Sequence, residues 1–405
     1  MTHHDPEFPA FPMLRGSCPF SPPDDYREMR EHNPVAEVRL RWSGKKVWVL
    51  TKHEHVKRVL GDATMSSSWK KPNYPMQVPV PDEVIQTMDL PIGALDAPEH
   101  GLRRRLLVPE LTAKQVEALC PRIQRIVDRR LDAMLDAGGP VDLMGSLART
   151  VPALVFCELT GVPMADSEFL RDFAELNVKT DADPNRIMAA TAEMDRYLDE
   201  LITAKEADPR DDMLSRIIAR NNADGRLDRA EIISLAKFLL FGGFDTTSNM
   251  IALGVLLLLE HPAQLAELRA DPALLPGAIE EMIRYLAIAD SNPARVVPAD
   301  LDLGGVRIPR GDGVIALTAA ACRDPEAFEH PDVFDIHRDA RGHTAFGHGP
   351  HLCPGANLAR AELEIVFDTL FRRIPDLRLA VPRSAIEFKS GTLVHGVAGD
   401  LPVTW

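Results

Sequence analysis

Between Glu231 and Glu260 the chain reads EIISLAKFLLFGGFDTTSNMIALGVLLLLE, a helical segment that is apolar on nearly every side. A helix with no polar face has to be enclosed by other elements, so this stretch is expected at the centre of the fold. Its middle breaks the pattern, because Asp245, Thr246, Thr247, Ser248 and Asn249 stand beside the pair Gly242 and Gly243. Buried polar groups are costly unless each is hydrogen-bonded. Thr246 can return its hydroxyl to the carbonyl of Gly242 one turn earlier, an ordinary structural arrangement. The glycine pair also weakens the helix where a flat ligand could approach the backbone.

Around this helix the 405 residues are organised without repeats or low-complexity tracts. Residues 1 to 34 are rich in proline and read as an extended arm. Ala36 to Arg41 and Lys46 to Thr51 alternate in polarity about Ser43-Gly44, which predicts a hairpin. From Asp96 to Glu281 helical periodicity dominates, with capping-box starts at Asp96-x-x-Glu99, Thr112-x-x-Gln115 and Asp228-x-x-Glu231. Residues 294 to 319 return to strands around Gly304-Gly305, a last helix runs from Asn357 to Arg373, and the closing GTLVHGVAGDLPVTW predicts a final hairpin. The expected fold is mainly α with a small β-rich side (α+β), as one domain over 1–405.

The formal charge of -14 disfavours nucleic acid as a partner. Five scattered cysteines, Cys18, Cys120, Cys157, Cys322 and Cys353, show no disulfide framework, and a reducing cytoplasm fits them. Neither a signal peptide nor an uninterrupted apolar run of membrane-spanning length is present, so no membrane anchor is expected.

The stretch FGHGPHLCPG, Phe346 to Gly355, suits neither helix nor strand and directly precedes the last helix. A metal-binding thiolate needs its charge stabilised and its sulfur fixed, and glycines at 347, 349 and 355 with a following helix N-terminus can supply both. Two alternatives stand beside this. Cys353 could be a small buried hydrophobe, as expected for the other four cysteines. Zinc is the second, since His330, His337, His343, His348 and His351 lie near the cysteine in sequence.

Phe346-x-x-Gly349-x-His351-x-Cys353-x-Gly355, followed by Leu358-Ala359-Arg360, resembles the haem-binding signature of the cytochrome P450 family in its soluble bacterial form. The resemblance implies haem b lying between the central long helix and the helix after the cysteine, with Cys353 as the axial iron ligand. GGFDTT resembles the family's oxygen-binding helix, which sets Gly242 and Gly243 beside the haem and makes Asp245 and Thr246 an acid–alcohol proton relay. DAPEHGLRRRLL resembles the helix that pairs with haem propionates. By that match His100, Arg104, Arg295 and His351 are the propionate contacts. Glu281-x-x-Arg284 resembles the family's buried pair supporting the cysteine loop. Where the family places an arginine in Pro-x-Arg-Phe, this chain has Pro331-Asp332-Val333-Phe334, leaving Arg338 or His337 to substitute.

The function so implied is monooxygenation, hydroxylation or epoxidation of a hydrophobic small molecule such as a secondary metabolite. Dioxygen is the co-substrate, and electrons from NAD(P)H arrive through a ferredoxin reductase and a ferredoxin. Oxidative C–C or C–N coupling is the alternative, and a haem carrier or sensor the non-enzymatic rival. Arg103, Arg105, Lys114, Arg372 and Arg373 are candidates for a basic ferredoxin dock. By family position the substrate pocket draws on Trp69, Met88, Phe241, Phe244, Ile288, Ser291, Asn292, Leu393 and Val394.

Overall fold

The computed structural model describes residues 8–16, 18–177, 183–225, 227–289, 293–389 and 394–405. The chain forms two compact units. The first comprises Met1–His100, Glu281–Phe334 and Asp339–Cys353, and the second Gly101–Glu280, Asp335–Arg338 and Pro354–Trp405.

In the first unit the predicted hairpin pairs Val35–Leu40 with Lys46–Leu50, placing Val38 opposite Val47. It belongs to a five-stranded mixed sheet. Ala10–Phe11 adds on one side, and Gly313–Ala316 followed by Ala294–Val296 on the other. The two-residue period of a strand sends neighbours to opposite faces. Val47, Val49 and Ile315 join Phe11, Tyr26 and Met29 in one cluster, while Leu50, Val314 and Ala316 join Val56, Val59 and Leu60 in another. With both faces covered, all four residues of Gly313–Ala316 are buried.

The N-terminal arm is shorter than its prolines suggest. Asp24–His32 is a helix, with Pro23 at its N-cap and Asp24 and Asp25 in its first turn. Proline ahead of a helix costs no hydrogen bond, so a proline-rich lead-in and a helix are compatible. The helix is held inward by buried Arg30, which donates to the carbonyl of Ala320 at 3.1 Å. Asp96 also departs from expectation. Its carboxylate accepts from the Ser66 hydroxyl at 2.5 Å and the Ser67 amide at 2.6 Å, a use distant in sequence from the helix Glu99–Leu107 that it was expected to cap.

In the second unit the central helix runs from Arg229 to Glu260, started by a full capping box between Asp228 and Glu231. It packs against Thr150–Thr160, Ser167–Asn177 and Ala356–Arg373, the last of which also lies along Ala113–Ala137. By length and apolarity the central helix could cross a membrane, yet 78% of its most apolar window is buried. Residues 391 to 393, where the predicted final hairpin begins, lie outside the described residues. Pro402–Thr404 pairs with both Val141–Asp142 and Arg378–Leu379. A separate bridge joins Phe388 to Val397.

Candidate active site

The cysteine loop closes on itself in the first unit. The Cys353 amide donates to the Phe346 carbonyl at 2.9 Å, and the Gly347 amide to the Thr344 carbonyl at 2.8 Å. Gly349 is required twice over: its φ is 70°, and a Cβ there would collide with the Leu60 carbonyl and with Gly61 at the end of the helix His53–Gly61. Gly355, at the N-cap of Ala356–Arg373, has φ −83°, so the left-handed freedom expected there is not used. Cys353 is half-buried, Cys157 and Cys322 are buried, and Cys18 is exposed, contrary to its expected burial. Burial pushes the Cys157 thiol up to about 12, leaving it inert. The Phe346 ring lies 5.7 Å from that of His343.

Within the loop, His351 stacks on His100 with centroids 3.9 Å apart, and its Nε2 lies 3.1 Å from the Ser67 hydroxyl. Ser67 is in turn fixed through its amide by Asp96. Neither Ser67 nor Asp96 carried a site signal in the sequence, because their partners are distant in the chain. Arg295 is buried, donates to the Ala294 carbonyl at 2.8 Å and forms no ion pair among the described residues. Burial lowers its pKa, opposed by Tyr74 and Asp96. A buried guanidinium in that condition is suited to receive an anion. Arg104 lies half-buried one turn after His100 on Glu99–Leu107. No three His, Cys, Asp or Glu side chains among the described residues are placed to hold a metal ion, and His337 pairs with Glu267 at 2.8 Å.

Glu281 and Arg284 are both fully buried and paired through two bonds, Nε to Oε2 at 2.6 Å and Nη2 to Oε1 at 2.8 Å. Arg284 also donates to the carbonyls of Cys322 and Pro331. Val333 is 58% exposed, and the run around it is held through its neighbours. Buried Arg323 binds Asp332 at 3.0 Å and lies 3.7 Å over the Tyr285 ring. A second buried arginine therefore comes from the segment ACRD, not from Arg338 or His337 as expected.

The Thr246 hydroxyl donates to the Gly242 carbonyl at 2.7 Å, as a back-bonded threonine does. Gly242 and Gly243 are nevertheless exposed in mid-helix, and a Cβ on either would meet nothing within 4 Å. Asp245 is buried, its Oδ1 accepting from Asn249 at 3.0 Å and from Lys389 at 2.8 Å.

The pocket candidates separate. Phe244 packs in the core against Ala153 and Ala174, so it is no pocket residue. Ile288 and Val394 are buried, and Trp69 and Met88 half-buried. The Phe241 side chain, Ser291, Asn292 and Leu393 lie outside the described residues. Of the proposed basic dock, Arg103 is buried and bound to Ser234 and Glu231, which removes it. Arg372 is paired with Asp368 and Arg373 with Asp132, leaving Arg105 and Lys114 exposed.

In the first unit a half-buried cysteine on a glycine-shaped loop and a buried arginine suited to a carboxylate fit an iron porphyrin; in the second, taken by itself, a glycine pair leaves helix backbone open. The sequence pattern described as Cytochrome P450 matches residues 24–375. Vitamin D3 dihydroxylase of Streptomyces griseolus is 44% identical over 98% of this chain and 97% of its own. Pentalenic acid synthase of Streptomyces avermitilis is 43% identical over 98% of this chain and 97% of its own. The crystal structure of cytochrome P450 MoxA from Nonomuraea recticatena superposes with a TM-score of 0.90 at 45% identity, covering 98% of both chains. With the family pattern and full-length relatives in agreement, the chain belongs to the cytochrome P450 family, the haem-thiolate monooxygenases.

Proposed function

We propose that this monooxygenase hydroxylates or epoxidises a hydrophobic small molecule, as a cytoplasmic enzyme of secondary metabolism fed by a ferredoxin and an NAD(P)H-dependent ferredoxin reductase. Relatives named for dihydroxylating vitamin D3 and for making pentalenic acid support that substrate class. When bound, the haem supplies dioxygen activation, and a thiolate ligand favours cleavage of the O–O bond. Cys353 is the ligand, with Phe346 and Gly355 shaping the loop around it. Arg295, His351, His100 and Arg104 neutralise the propionates. Gly242 and Gly243 leave backbone room for the flat face of the cofactor.

One observation carries the enzymatic reading over a carrier or sensor. A buried carboxylate and a half-exposed threonine hydroxyl stand beside an open glycine pair in the middle of an otherwise apolar helix, where a polar group is costly to bury. Asp245 holds and passes a proton, and Thr246 positions it at the open side of the helix.

The test begins with substrate-induced shifts of the haem spectrum across a compound library. With the compound so found, turnover in isotopically labelled dioxygen should place one labelled atom in the product. Unlabelled, coupled product would overturn the monooxygenation. Thr246→Ala should release more peroxide per electron pair and lower product yield several-fold, roughly ten-fold at most. Unchanged coupling of electrons to product would remove the relay.

A further inference from the structure

Asp245 is not held by its own helix alone. Lys389, 144 residues away in sequence, reaches Oδ1 at 2.8 Å, the two side chains being 15% and 7% exposed. The lysine is placed by the bridge between Phe388 and Val397, where the Lys389 amide donates to the Gly396 carbonyl at 2.8 Å and the Ala398 amide to the Glu387 carbonyl at 2.9 Å. Buried His395, its ring stacked on Phe388, lies on the same bridge. Gly396 sits so close to the Asn249 amide that any Cβ would overlap it. Asn249 in turn donates to both the backbone carbonyl and Oδ1 of Asp245, at 2.7 and 3.0 Å. Oδ1 therefore has two donors, whereas Oδ2 is buried with no partner among the described residues. Such a carboxylate is oriented as well as charge-balanced, and a buried ion pair is by itself a poor source of stability.

We propose that Lys389 is the positioning residue of the proton relay. It fixes which oxygen of Asp245 stays open and, lying at the margin of solvent, anchors the outer end of the relay. The inference rests on the relay reading given above.

A measurement without substrate tests it. NADPH, a plant-type surrogate ferredoxin and its reductase feed electrons to the holoenzyme. Dioxygen is then reduced either by two electrons and two protons to hydrogen peroxide or by four of each to two waters. Peroxide formed per dioxygen consumed reports how well protons are delivered. Lys389→Met should raise that ratio about two-fold or more, with Lys389→Arg close to the parent. Thermal melts of Asp245→Asn, Lys389→Met and the double variant should show smaller loss in the double than the sum of the singles. A lowered melting temperature with the parent's peroxide ratio makes the pair structural only and overturns the proposal, as do additive losses. Should Lys389→Met fail to fold, Lys389→Gln, which retains a donor without the charge, takes its place in both measurements. If Asp245→Asn leaves the ratio unchanged, the relay itself fails. If it raises the ratio and the lysine variant does not, only the role of Lys389 fails.

Discussion

Glu362, on Ala356–Arg373, is buried with its Oε2 unpartnered among the described residues, and burial pushes its carboxyl up to about 8 from an ordinary 4.5. Between those values the folded protein keeps a proton that the unfolded chain has lost, so stability falls as pH rises through the window and levels off above it. Glu362→Gln removes that penalty. Its advantage over the parent is expected to be small at pH 5 and about 1–3 kcal/mol at pH 8, measured by denaturant unfolding at both. An advantage independent of pH would show that the carboxyl does not titrate there. Glu281 presents the opposite case, a carboxylate with both oxygens engaged by Arg284. Glu281→Gln leaves a buried guanidinium uncompensated, and a loss of about 3–5 kcal/mol is expected from the same unfolding curves. A lysine at 284 cannot restore the two-pronged geometry.

At the scale of elements, the cysteine loop and the central helix use glycine for different reasons. In the loop, Gly349 answers a left-handed backbone and a close approach to Leu60. In the helix, Gly242 and Gly243 have ordinary neighbours within the turn and open space outside it. Replacing a helical glycine stabilises the helix itself by roughly 0.5–1 kcal/mol, so Gly243→Leu should fold at least as well as the parent. Its side chain would occupy the space assigned to the cofactor, and the ratio of haem to protein absorbance should fall sharply. Full haem content in that variant would move the cofactor away from the glycine pair.

For the whole molecule, the charge of -14 makes any exposed cation conspicuous to an acidic partner. The structure narrows the expected dock to Arg105 and Lys114, since Arg103 is buried and the two arginines of the last helix are already paired. Reversing both to glutamate should slow reduction by ferredoxin about ten-fold at low salt without changing substrate-induced spectral shifts. The difference should shrink at 1 M salt, where screening acts within about 3 Å. A salt-independent effect, or none, would place the dock elsewhere.

What the sequence determined was whatever depends on neighbours in the chain. The hairpin, the capping box at Asp228 and the back-bonded Thr246 follow from local geometry, because a strand repeats every two residues and a helix brings residues one turn apart together. The shape of the cysteine loop was legible for the same reason, its closing hydrogen bonds lying between Thr344 and Cys353. Tertiary structure alone decided what crosses long separations. Asp96 serves Ser66 and Ser67 across about thirty residues, Phe244 turns into the core, Arg103 is withdrawn from the surface, and Lys389 arrives at Asp245 across 144. Spacing says nothing about such partners. They meet because burying the apolar faces of whole elements brings distant backbone together, and the polar groups caught in that packing must then satisfy one another.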